Sequence, residues 1–213
     1  MQSRPLHNIR RVAIIGTGTI GASWAAHFLA QGMDVQAWDP APDGEQRARD
    51  SVATAWPALE RLGLKEGASP ERLSWHATVA SALDGVDVVQ ESAPEKREVK
   101  QALYREIDTA LAGDVVLCSS TSGLIMSELQ AGCASAARFV VGHPFNPPHL
   151  IPLVEVLGGQ ETAPEAIDWA LDFYNAYGKK AIRLNKEVPG HLVNRLQAAL
   201  WREARIVRPI KVL

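Results

Sequence analysis

Arg11-Val-Ala-Ile-Ile-Gly16-Thr-Gly18-Thr-Ile-Gly21 runs from an unbroken apolar segment into three glycines spaced G-x-G-x-x-G. Val12-Ala-Ile-Ile15 is apolar at every position, which predicts a strand covered on both faces of a sheet. Beyond the glycines, Ile20, Trp24 and Phe28 recur every four residues, with Ala25 and Leu29 beside them, and predict an amphipathic helix. Gly32 stands where a glycine ends such a helix. A second apolar run, Asp34–Trp38, leads to Asp39, eighteen residues beyond Gly21. Strand, glycine turn, helix, strand and acidic residue together form a dinucleotide-binding fingerprint. Gly16 would permit the tight turn, Gly18 the approach of a diphosphate, and Gly21 the packing of helix on strand. Gly16, Gly18, Thr19, Ile20 and Gly21 are thus expected against the cofactor, on the positive end of the helix dipole. Asp39 would accept hydrogen bonds from the adenosine ribose, and its charge would repel a 2′-phosphate. NAD is therefore expected over NADP.

Downstream, apolar runs at 73–76, 86–90, 115–118, 138–142 and 150–157 alternate with helical patterns at 46–62, 96–112 and 164–177. The alternation predicts an α/β fold, a Rossmann-type doubly wound and mostly parallel sheet. A last helix is expected over 191–207, with Leu192, Leu196 and Leu200 on one face.

At 213 residues and 46% hydrophobic, the chain has enough apolar material for a sizeable core. With 22 basic against 24 acidic residues it carries no global positive field, which argues against nucleic acid as a partner. No run approaches the roughly 18 apolar residues of a membrane span. Cys118 and Cys133 form no C-x-x-C pair, so neither a disulfide framework nor a metal site is expected. The opening Met1-to-Arg11 stretch imitates a signal peptide, but its apolar part is too short. A cytoplasmic protein acting on a small-molecule substrate is the expectation.

Gly142-His143-Pro-Phe-Asn-Pro147 ends one predicted strand, and Leu150-Ile-Pro-Leu-Val-Glu155-Val follows. Glu155 interrupts an apolar segment, and a carboxylate buried there needs a partner. His143, twelve residues earlier, is the candidate, because a neutral imidazole held by a carboxylate is an oriented general base. Spacing alone leaves a purely structural His–Glu pair equally open.

The fingerprint with Asp39, Glu91-Ser-Ala-Pro-Glu95, Ser119-Ser-Thr-Ser122-Gly-Leu124, the His143 segment and Pro189-Gly-His-Leu-Val-Asn194-Arg-Leu196 occur in one order. Together they resemble the L-3-hydroxyacyl-CoA dehydrogenase family over essentially the whole chain. The resemblance implies that His143 is the general base and Glu155 its orienting partner, with Ser122 and Asn194 bound to the reacting oxygen. It implies a place near the cofactor for Glu95. Lys100, grouped with the cofactor-binding residues, matches a lysine that contacts coenzyme A in acyl-CoA members, its alternative being an ordinary solvated helix lysine. Ser119 and Ser120 read as turn formers, and His149 and His191 as surface or packing residues. His191 departs from the bulky apolar residue usual in the family at that point.

Within the family, Ala22-Ser-Trp24-Ala-Ala, Ala55-Trp-Pro-Ala-Leu59 and Leu200-Trp-Arg-Glu-Ala204 resemble the L-carnitine dehydrogenase branch. Acyl-CoA members carry a long lysine-rich insertion after the second strand. Here residues 43–74 balance Arg47, Arg49, Arg61, Lys65 and Arg72 against Asp43, Glu45, Asp50, Glu60, Glu66 and Glu71. Six tryptophans offer faces to a quaternary ammonium, although most, Trp24 included, read as core. An L-3-hydroxyacyl-CoA (3-hydroxybutyryl-CoA) dehydrogenase and a non-catalytic, crystallin-like NAD-binding protein are the alternatives. The resemblance divides the chain into an NAD-binding domain, 1–186, and the start of an all-helical domain, 187–213, which implies a truncated member. Residues 205–213 depart from the family, and a full-length form would be a homodimer.

Overall fold

The computed structural model describes residues 4–207. Residues 1–3 of the signal-like opening and residues 208–213 of the divergent end lie outside the described residues. Eight strands form one sheet: β1 (Arg11–Ile15), β2 (Asp34–Trp38), β3 (Leu73–Trp75), β4 (Val88–Glu91), β5 (Val116–Ser119), β6 (Phe139–Pro144), β7 (Leu153–Gly158) and β8 (Lys180–Arg183). The helices are α1 (Thr19–Ala30), α2 (Gly44–Leu62), α3 (Val79–Leu83), α4 (Arg97–Ala110), α5 (Met126–Leu129), α6 (Pro164–Ala176) and α7 (Val193–Val207).

Spatial order is β3-β2-β1-β4-β5-β6-β7-β8. Every pairing is parallel except β6 with β7. This is a Rossmann-like sheet with a helix added at its C-terminal end. The chain winds outward from β1 through β2 to β3, then crosses to β4 on the other side of β1. A crevice opens at that reversal, outside the carboxyl ends of the strands, where open α/β sheets place their ligands.

Each sheet face has its own core. One joins α1, α2 and α6 to the sheet through Trp24, Phe28, Val52, Phe173 and Tyr174. The other packs α3, α4 and α5 through Leu83, Tyr104, Ile107, Met126 and Phe139. Central strands are therefore dry on both sides, as their unbroken apolar runs require. Trp24 is fully buried and stacks on Phe28, with ring centroids 5.3 Å apart. The cation over its ring is internal: Lys179 Nζ lies 5.0 Å from the centroid.

Element boundaries moved by a few residues from those expected, and three short elements had not been read. β8 lies at the sheet edge with half-exposed and exposed residues, so it lacks an apolar run. α3 and α5 span only five and four residues, too short for a helical period to show. α7 starts at Val193 rather than 191, because His191 has a left-handed backbone, φ +50°.

His27 on α1 lies in the first core, its Nε2–H donating to the Tyr177 carbonyl at 2.8 Å. Burial, with the nearby Lys179 charge adding to it, lowers its pKa from 6.5 to about 3. Below pH 6.5 the unfolded chain takes up this proton and the folded chain does not. Stability is therefore complete above 6.5 and falls with pH by about 1.4 kcal/mol per unit until the folded imidazole titrates. Urea titrations of His27→Gln should lose about 2 kcal/mol less than the parent on acidification from about pH 7 to pH 5. Equal losses in the two proteins would contradict this.

Candidate active site

The glycine loop is shaped by three different constraints. Gly16 has φ +89°, and a Cβ there would lie 2.8 Å from the Ser92 carbonyl oxygen and the Ala93 nitrogen. A Cβ on Gly21 would meet the Gly16 carbonyl oxygen at 1.8 Å, so α1 can approach β1 only without one. Around Gly18 there is open space. A diphosphate could approach its backbone there. α1 begins at the next residue, and no side chain among the described residues caps it. Its first N–H groups are thus offered to an anion.

Asp39 follows β2, and its Oδ2 accepts from Thr17 N–H at 2.8 Å while Oδ1 accepts from Ala41 N–H at 2.9 Å. It does not cap the next helix, which starts at Gly44 behind Asp43. Each carboxylate oxygen keeps a lone-pair direction for a hydroxyl group. Bare glycine backbone, open helix start and half-buried carboxylate fit the diphosphate and ribose of NAD.

Across the crevice, the antiparallel pairing of β6 and β7 sets His143 directly opposite Glu155. Nδ1 lies 2.8 Å from Glu155 Oε2. Glu155 is fully buried, and its other oxygen accepts the backbone N–H groups of Leu192 at 3.1 Å and Val193 at 2.9 Å. Burial pushes this carboxyl up, but the His143 hydrogen bond and the Val193 and Leu192 N–H groups outweigh it and leave the pKa below its ordinary value. An ionised carboxylate only accepts, so the proton between the two sits on Nδ1. Nε2 is left with a free lone pair.

His143 lines a cleft of about 570 Å³ together with Ile20, Glu95, Ser122, Asn146 and Asn194. Of the glycine segment Ile20 lines this cleft, while Gly18 and Thr19 line a neighbouring pocket that shares Asn146 with it. Glu95 Oε1 gathers the loop after β5, accepting from Thr121 Oγ1 at 2.7 Å, Ser122 N–H at 2.8 Å and Gly123 N–H at 3.0 Å. Burial raises the Glu95 pKa, while the Thr121 hydroxyl, the Lys100 charge and these N–H groups bring it below its usual value. Asn194, in the first turn of α7, donates from Nδ2 to the Ser122 carbonyl at 3.2 Å. His143, Glu155, Ser122, Asn194, Glu95 and the glycine loop are brought together; Lys100 is not.

Lys100 requires a correction. It is neither a solvated lysine nor open to a ligand: its side chain is 1% exposed. Nζ donates to Glu91 Oε1 at 2.5 Å and lies 3.9 Å from Glu95 Oε2. Glu91, fully buried, also accepts from Ala93 N–H at 2.6 Å, Tyr104 hydroxyl at 2.9 Å and Ser119 hydroxyl at 2.7 Å. No role for Glu91 was read in the sequence. The signal was present, because Glu91 closes an apolar strand just as Glu155 interrupts one. Ser119 and Ser120 do more than form a turn, since Ser120 Oγ accepts from Gln90 Nε2 at 2.9 Å and pairs with Ser92 Oγ at 2.8 Å. His149 is half-buried, with Nδ1 2.7 Å from Ser23 Oγ. His191 is buried rather than on the surface.

Residues 11–188 match the family described as 3-hydroxyacyl-CoA dehydrogenase, NAD binding domain. The L-carnitine dehydrogenase of Streptomyces griseus is 57% identical over 197 residues, which cover 92% of this chain and 59% of that protein. That of Pseudomonas putida is 50% identical over 196 residues, covering 92% and 61%. The chain thus spans about three-fifths of the length of the curated relatives it matches. Among solved structures, the NAD+-dependent dismutase 5-formyl-3-hydroxy-2-methylpyridine 4-carboxylic acid 5-dehydrogenase superposes with a TM-score of 0.88 at 35% identity. It is matched over 96% of this chain and 67% of that one. The 3-hydroxybutyryl-CoA dehydrogenase of Escherichia coli K12 gives 0.87 at 28% identity, over 97% and 44%.

Lys100→Met separates the two readings of that lysine. On an exposed face the change would shift stability by within about 0.5 kcal/mol. With Glu91 left as an unpaired buried charge, it should cost about 3–5 kcal/mol in denaturant unfolding. A loss below about 1 kcal/mol would contradict the buried pair.

Proposed function

The chain belongs to the 3-hydroxyacyl-CoA dehydrogenase family through its NAD-binding domain, and from that membership we propose that it serves the NAD-dependent oxidation of a small L-3-hydroxy acid, L-carnitine to 3-dehydrocarnitine. The observation that carries this reading is the 2.8 Å His143–Glu155 pair, whose imidazole lines the cleft that Ile20 of the glycine segment borders.

The residues divide the work as follows. Gly16, Gly18, Thr19, Ile20 and Gly21 would hold the cofactor's diphosphate and Asp39 its ribose, with Glu95 near the cofactor. NAD, when bound, accepts the hydride from the substrate carbon. Glu155 keeps the His143 proton on Nδ1, so that Nε2 takes the hydroxyl proton. As the imidazole becomes charged, the ionised Glu155 stabilises it across a nearly dry contact, where such charge-assisted bonds are strongest. Ser122 and Asn194 bind the reacting oxygen and aim its proton at Nε2. General-base catalysis of this kind contributes roughly 10²–10⁴-fold.

Kinship to L-carnitine dehydrogenases supports the substrate, and so do ion pairs on and around α2. Arg49 pairs with Glu45 at 2.8 Å, Arg47 with Asp43 at 3.3 Å, and Arg72 with Asp34 at 3.1 Å. These basic groups are spoken for, which suits a small zwitterion better than the phosphates of coenzyme A. A longer form, with 1–186 binding NAD, 187–213 opening a helical unit and a homodimer built on that unit, completes the proposal. Leu196, Leu200 and Trp201 on α7, each more than half exposed, support it. They also favour a second reading, in which this chain binds NAD without turnover.

NADH fluorescence titration, with L-carnitine and 3-hydroxybutyryl-CoA assayed side by side, tests both readings. NADH should bind, L-carnitine should be the faster substrate, and His143→Asn should keep binding while lowering kcat by about 10²–10⁴-fold. Faster oxidation of the acyl-CoA overturns the substrate. Binding with no turnover of either establishes the second reading.

A further inference from the structure

His191 has no part in the chemistry described above, yet it sits at the joint between its two halves. It is 1% exposed, and its ring centroid lies 5.2 Å from that of His143, tilted by 54°. Nε2 is 3.0 Å from the Thr121 carbonyl oxygen, one residue before Ser122. A carbonyl only accepts, so Nε2 carries the proton and Nδ1 is a bare acceptor. Nδ1 is buried and finds no partner among the described residues. An unpartnered buried acceptor is unfavourable, as is a left-handed backbone in a residue other than glycine. His191 combines both, directly after Gly190, also left-handed at φ +78°.

That double left-handed turn turns the chain so that the next two N–H groups, of Leu192 and Val193, both reach Glu155 Oε1. One residue thereby connects the loop that carries Ser122 to the segment that fixes the carboxylate behind His143. A phenyl ring would fill the same space, but it has no donor for Thr121.

We propose that His191 is a positioning residue that locks the Ser122 loop and the His143–Glu155 pair into one frame, acting as a neutral imidazole through its Nε2–H. The groups facing it are His143, Glu155 and Glu95. Burial pushes its pKa below the ordinary histidine value, the Thr121 hydrogen bond opposes this, and the His143 charge lowers it further. The Glu155 and Glu95 charges raise it. This inference rests on the dyad reading above.

The test uses the whole chain labelled with ¹⁵N-histidine and long-range ¹H–¹⁵N correlation spectra from about pH 5 to 8, where histidine charge states change. In the parent, His143 should show a single Nδ1–H tautomer and His191 a single Nε2–H tautomer. His191→Phe, which keeps the volume, should lose the single His143 signature and show exchange between both tautomers. His191→Gln, whose amide can still donate to Thr121, should restore it. An unchanged His143 signature in His191→Phe overturns the proposal while leaving the dyad intact. Absence of the Nδ1–H form in the parent overturns the dyad reading itself. Should His191→Phe not fold, the parent spectrum still decides, because a charged or Nδ1–H His191 is incompatible with the proposal.

Discussion

An ionised carboxylate with no exposure to water is among the most demanding groups a fold can hold. Removing a charge from solvent costs several kcal/mol even after relaxation, unless donors replace the lost water. Glu155 has three: the His143 ring and the N–H groups of Leu192 and Val193. They come from β6 and from the chain entering α7, while Glu155 itself lies on β7. Satisfying this one group therefore dictates the reversal between β6 and β7, the pairing register and the angle at which the chain leaves the sheet. Functional geometry here follows from a solvation requirement.

Glu91 repeats the arrangement on the other side of the crevice. It too is fully buried, and it is neutralised by Lys100 and held by Tyr104, Ser119 and the Ala93 N–H. Glu95, joined to it through Lys100, gathers the Thr121–Gly123 turn. The cleft is thus bracketed by two buried anions, one holding His143 and the other supporting the loop that carries Ser122. Neither bracket can relax without exposing an uncompensated charge.

How much of this the sequence disclosed depended on the range of each signal. The central strands were legible because both of their faces are dry, which demands apolar residues at every position. The glycine loop was legible because backbone crowding at Gly16 and Gly21 allows no side chain. β8 was not, since an edge strand with one wet side needs no such run. The His143–Glu155 pairing could be anticipated because a charge stood in an apolar segment. Lys100 was misread for the converse reason: its helix is polar around it, and nothing local reveals that α4 turns this one position inward toward Glu91. The left-handed turn at His191 was equally hidden, because it exists to serve contacts with residues far away in the chain.

The two halves of the cleft differ in how firmly they are mounted. The imidazole and its carboxylate hang on adjacent strands whose spacing is set by ladder hydrogen bonds. Ser122 and Asn194 instead stand on a turn and on a helix that touches the sheet through few groups. On the proposed function, proton transfer would rest on the strand ladder and recognition on that turn and helix. Substitutions in the turn and the helix would then alter which alcohol is recognised while leaving the strand-borne pair in place.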